Sequence, residues 1–146
     1  MKKSSMLTFA IILWNSLAGQ SDDVEKRDVL DKYNYDIAAY VWPSYHPDNR
    51  AKIFWPDGMG EWQTVLSNKP KYEGHKQPRY PLWGYINEAD PYVAEMEINA
   101  AADHGVNVFI FDWYWYDGMS FLEGHLNEGY LKARNNDRVK FYLMWA

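Results

Sequence analysis

An α/β fold is what this sequence predicts, and three observations predict it. Apolar runs of strand length stand at Tyr35–Val41 (YDIAAYV), Val106–Asp112 (VNVFIFD) and Val139–Trp145 (VKFYLMW). The second is nearly unbroken rather than alternating, which marks a strand covered on both faces. Helical patterns separate the second run from the first and from the third, the order expected of a parallel sheet.

The elements follow in chain order. The first run is closed by Trp42-Pro43, because proline has no N–H to extend a central ladder. Residues 42–89 are rich in Pro and Gly and far exceed the roughly 4–6 residues of an ordinary connection, a length that marks a functional loop. Asp90-Pro91 then opens a helix, Asp as the cap and Pro at the first helical position. Val93, Met96 and Ala100 recur on one face until His104-Gly105 stops it. Ser120 and Glu123 have capping-box spacing and predict a second helix carrying Leu122, Leu126 and Tyr130. A dinucleotide-binding sheet is excluded, since Trp42-Pro43-Ser44-Tyr45 is nothing like a Gly-rich turn. A (β/α)₈ barrel of the TIM type takes about 250 residues, so residues 35–146 read as its N-terminal part, about three strand–helix units that break off at Ala146.

The N-terminus reads as an address. Lys2 and Lys3 precede the apolar run Met6–Trp14, and small residues follow at Ser16 and Ala18. These are the three zones of a secretory signal peptide, 1–18, with a charged linker at 19–34. The apolar run is well below the roughly 20 residues that span a bilayer, so a secreted or periplasmic protein with no membrane attachment after cleavage is expected. Cysteine is absent, which excludes disulfides, thiol catalysis and thiolate metal sites. The net charge of −5 with interspersed signs gives no basic stripe and argues against nucleic acid. Four histidines without paired spacing make a poor metal site, and no cofactor is expected. His104 reads as a helix C-terminal residue favoured by the dipole and His125 as a helix-surface residue.

Aromatic content is the strongest compositional signal: 8 Trp, 12 Tyr and 6 Phe, more than packing usually requires. Sugars present apolar C–H faces and hydroxyl rims, so their sites combine aromatic platforms with a few placed polar groups. In a barrel the loops after the strands share one face. The candidates are therefore Tyr40 and Trp42 at the first strand, His46, Glu61, His75, Gln77 and Arg79 in the long loop, Asp112, Trp113, Tyr114 and Trp115 at the second strand, and Trp145 at the third. Asp112 is placed either to orient a hydroxyl, to act as acid or base, or to cap its loop. Trp113 and Trp115 alternate with Tyr114, so only one of the two faces can be the site. The segment around His75, Gln77 and Arg79 is either a polar rim or a rigid Pro-bounded loop.

Four segments in this order also carry a resemblance: GMGEWQTV, GHKQPRYP, ADPYVAEMEINAAADHGVNVFIFDWYWYDG and FYLMWA. Together they resemble the glycoside hydrolase family 99-like domain, also known as the WbsX-type domain of polysaccharide gene clusters, over roughly Tyr35 to Ala146. The resemblance implies a barrel acting on oligo- or polysaccharide, with the early strand ends lining the sugar subsites. In the characterised hydrolases of that family the paired catalytic carboxylates belong to a later strand-end motif. Catalytic residues are accordingly expected beyond residue 146, and this segment alone is expected to be inactive. Two rivals are a glycosyltransferase-like role in polysaccharide assembly, against which the signal peptide counts, and a non-catalytic glycan-binding remnant.

Overall fold

Val108 to Phe111, none more than 7% exposed, form the centre of the sheet. In the computed structural model, which describes residues 35–146, strand β2 (Val108–Tyr116) lies between β1 (Ala38–Val41) and β4 (Lys140–Trp145). Both neighbours run parallel to it, with Ala39 and Phe141 in register with Phe109, and Val41 and Leu143 with Phe111. The expected α/β class with a parallel sheet is therefore present in residues 37–146, which form one unit. The expected signal peptide and linker lie outside the described residues.

Alternation along β2 sorts its side chains by face. Phe109, Phe111 and Trp113 pack against a layer made by Ala94, Ile98, Leu126, Tyr130 and Ala133. Val108, Ile110, Asp112 and Tyr114 take the other face, which Tyr40 and Tyr142 flank, 72% and 51% exposed. The aromatic centre of the core is tight: Phe111 lies 5.5 Å from Tyr130 and 6.2 Å from Phe141, all edge-on. Such pairs add about 0.5–1.5 kcal/mol each beyond area burial. The Tyr130 hydroxyl donates to the Asn136 carbonyl at 3.0 Å and to that of Val139, fastening the approach to β4.

Two short elements interrupt the long loop, a 3₁₀ turn at Ala51–Ile53 and helix α1 (Trp62–Ser67). Helix α2 (Pro91–Asp103) is capped as expected, the Asp90 carboxylate accepting the Tyr92 N–H at 2.9 Å and His104 ending it. Its inward face differs from the expected one. Ala94 and Ile98 are buried, while Met96 is 44% exposed. The small Ala94 lets the helix approach β2 closely, and the longer Met96 turns outward.

The expected second helix is also corrected. Asp117 and Gly118 both have positive φ, 53° and 77°, and fold the chain back into β3 (Met119–Phe121), where Ser120 pairs with Trp115 instead of capping. Past it come five residues of π-helix (His125–Gly129) and 3₁₀ turns at Tyr130–Lys132 and Asn136–Arg138. Packing explains the departure from α geometry. Gly124 lies beneath the His46 ring and Gly129 against the Glu88 carbonyl, each where a Cβ would collide.

Candidate functional site

The C-terminal half of β2 runs beyond the end of β1, and the space this leaves is enclosed by the long loop and the β2–β3 hairpin. The result is a cleft of about 1250 Å³ whose walls include Trp42, Phe54, Trp55, Tyr114, Tyr116 and Phe121. Typical small-molecule pockets are roughly 300–1,000 Å³, so the cleft suits a chain of several rings better than one. The rings pack as a set, Tyr114 nearly parallel to Tyr116 at 5.9 Å and edge-on to Trp42 at 5.6 Å.

Two carboxylates attend this aromatic wall. The Glu61 carboxylate accepts the Trp42 indole N–H and, at 2.6 Å, the Ser44 hydroxyl, which fixes the indole plane at the cleft. Asp112 lies two residues before Tyr114 on the same face, and its buried Oδ1 has no hydrogen-bond partner among the described residues. Burial, then the charges of Asp112 and Tyr116 and a hydrogen bond to Asp112, raise the Tyr114 pKa, so the hydroxyl stays a protonated donor at neutral pH. The arrangement thus offers apolar ring faces, the phenols of Tyr114 and Tyr116, and carboxylate acceptors close by.

The structure brings together Trp42, Glu61, Asp112 and Tyr114 and scatters the other candidates. Tyr40 shares the sheet face of Ile110 and Tyr114 but is 72% exposed and does not line the cleft. His46 is buried, its Nδ1 2.9 Å from the Pro47 carbonyl oxygen. His75 stacks on Tyr72 with centroids 4.6 Å apart and has Gln77 3.4 Å away, in a cluster of its own near the cis Gln77–Pro78 bond. Arg79 is exposed and contributes its carbonyl to Tyr85. Trp113 packs on the helical layer, and Trp115 stacks on Trp145 at 6.4 Å on the side away from Tyr114.

Several residues here escaped the sequence reading. Arg50, Phe54, Trp55, Tyr116 and Phe121 line the cleft, and the signal for the last two was the Asp-Gly pair at 117–118, a strong hairpin dipeptide. His125 is a correction: it is 3% exposed, not a surface residue. Its Nε2 is 2.9 Å from Glu97 Oε2 and its Nδ1 3.5 Å from Glu88 Oε2. Glu88 in turn accepts the Tyr45 N–H at 3.1 Å, tying this buried group to the start of the cleft loop. Burial first pushes the Glu88 pKa up to about 7, with His125 pulling the other way.

A parallel α/β unit with an aromatic, carboxylate-bearing cleft at its strand ends defines the class. The chain belongs to the family described as glycosyltransferase WbsX, whose model matches residues 37–146. Two proteins called uncharacterized protein WxcX, from Xanthomonas campestris pv. campestris strains B100 and ATCC 33913, are each 31% identical to it over 111 residues, 75% of this chain. The chain spans 16% of the length of these curated relatives. No solved structure matches it significantly.

Proposed function

We propose that this chain contributes the sugar-holding portion of a glycan-active barrel of hydrolase type, with saccharide bound in the cleft between Trp42 and the β2–β3 hairpin. One observation carries the reading: the aromatic wall, with the Glu61 carboxylate on Trp42 and that of Asp112 beside Tyr114, lies at the C-terminal ends of the parallel strands β1 and β2. That is where barrel enzymes build their sites. Sugar C–H faces would stack on Tyr114 and its neighbours, and hydroxyls would meet the phenols and the carboxylates. Hydrolysis itself would need a carboxylate pair on later strands.

The charge of the cleft favours this over the glycosyltransferase reading. Its formally charged lining groups are Arg50 and Asp117, and the Glu61 and Asp112 carboxylates lie next to its Trp42 and Tyr114. A sugar-nucleotide diphosphate would meet repulsion there, whereas a neutral saccharide meets none.

Calorimetric titration with neutral oligosaccharides tests the site. Trp42→Ala and Tyr114→Ala are each expected to weaken binding by about 1 kcal/mol or more. Trp115→Ala, on the opposite face, is expected to leave affinity unchanged. The reverse pattern would move the site to the Trp113 and Trp115 face. Export is tested separately: mass analysis of secreted protein is expected to show the chain starting just after Ala18, and secreted material retaining Met1 would refute it.

A further inference from the structure

We propose that Arg50 and Asp48 are positioning residues for the cleft, a clasp that holds the β2–β3 hairpin in place as its wall. The proposal rests on reading the cleft as a saccharide site. Arg50 lines the cleft and is its one cationic wall residue, so it looks at first like an anion receptor. Its donors are used otherwise. Nη1 donates to the Ser120 carbonyl at 2.7 Å and the Met119 carbonyl at 3.2 Å, and Nη2 to the Tyr116 carbonyl at 2.9 Å. These carbonyls flank the turn on both sides. The Asp117 carboxylate is 4.0 Å away and 98% exposed, too solvated to compete for the guanidinium.

Asp48 completes the hold with the opposite chemistry. Its Oδ2 accepts the Leu122 N–H at 3.2 Å, where the chain leaves the hairpin with φ of 56°. Its Oδ1 accepts the amides of Arg50 at 2.7 Å and Ala51 at 3.0 Å, which fixes the loop that presents Arg50. One residue thus reads hairpin acceptors and the other a hairpin donor.

The hairpin needs such a hold. It has only three residue pairs, its tip residues Tyr116 and Met119 are about half exposed, and two-stranded ribbons are marginal alone. Tyr116 and Phe121, which it carries, form one side of the cleft, and the guanidinium also lies 5.7 Å from the Phe121 ring centroid. A lysine keeps the charge but lacks the planar fork that reaches three carbonyls.

The test compares the whole chain with Arg50→Ala, Arg50→Lys and Asp48→Asn. Three readouts are needed: amide exchange over residues 116–122, the urea midpoint, and affinity for a neutral oligosaccharide. Exchange in the hairpin is expected to quicken at least about tenfold in both Arg50 variants. Affinity is expected to fall about tenfold while the urea midpoint hardly moves. Asp48→Asn, in which an NH2 group must replace one of the two accepting oxygens and face an N–H, is expected to quicken hairpin exchange as well. Unaltered hairpin exchange overturns the clasp. Quickened exchange with unaltered affinity, or affinity that falls only in step with the urea midpoint, overturns the positioning role. If the unmodified chain binds no saccharide, the saccharide reading fails and the exchange comparison alone decides whether the clasp stands.

Discussion

Replacing His125 with Ala is expected to cost about 3–5 kcal/mol of folding stability near pH 5, and less once the pH has risen past the raised His125 pKa. The imidazole sits between Glu88 and Glu97 with 3% of its surface exposed, and the edge of its ring meets Phe111 at 5.1 Å. Burial alone pulls the His125 pKa down, but the hydrogen bond to Glu97 and the charges of Glu88 and Glu97 outweigh it and leave it raised. Folding therefore favours the imidazolium form between the two carboxyl groups. That contribution is fully present below the ordinary histidine pKa of 6.5, where the variant removes a buried cation from between Glu88 and Glu97. As pH rises through the raised His125 pKa the contribution is lost, and the remaining cost is mainly the cavity.

The same group sets a direction for the unmodified protein. Glu88 holds its proton to about pH 7 when folded and releases it near 4.5 when unfolded, and His125 also has its pKa raised by folding. In both cases the folded state binds more protons than the unfolded one, so stability falls as pH rises from about 4.5 through 7 and beyond. Urea midpoints at pH 5.5, 7 and 8.5 should descend in that order. Glu88→Gln, which can still accept the Tyr45 N–H, should flatten the descent. A midpoint that rises over this range would sink the account.

These two glutamates and one histidine show why part of the molecule was legible in sequence and part was not. Helix α2 announced its own start, because Asp90-Pro91 is a local signal and the bond from Asp90 to the Tyr92 amide spans two residues. The parallel strands were equally plain, since an apolar run needs no partner to be recognised. His125, Glu88 and Glu97 come from separate stretches, 28 and 37 residues from the histidine, and nothing local distinguishes a buried triad from surface residues. The cleft was half visible for the same reason. Tyr114 was read as lying opposite Trp113 and Trp115, yet which face opens to ligand depends on where residues 42–61 and the hairpin pack. The capping-box reading of Ser120 failed because a stronger local signal, the turn at Asp117-Gly118, had already committed the segment to a strand.

Gly60→Ala is expected to cost about 3 kcal/mol or more and to abolish saccharide binding with it. Gly60 is buried with φ of 61°, a conformation alanine tolerates poorly. The larger obstacle is space. An added Cβ would overlap the Ser44 carbonyl oxygen and lie 2.6 Å from the His46 carbonyl oxygen and 2.9 Å from the His46 nitrogen. All three are backbone atoms, so no rotamer change relieves the contact. The close approach exists because the next residue is Glu61, whose N–H donates to the Ser44 carbonyl at 3.0 Å and whose carboxylate holds Ser44 and Trp42. Pushing position 60 outward therefore withdraws the carboxylate from the indole and leaves that wall of the cleft unfixed. Gly58→Ala is the control, since Gly58 also has positive φ, 73°, but has nothing within 4 Å of an added Cβ. It should cost only the conformational penalty, roughly 1–2 kcal/mol. Urea unfolding followed by tryptophan fluorescence measures both, and equal costs for the two variants would show that the Ser44–Glu61 contact does not hold the loop.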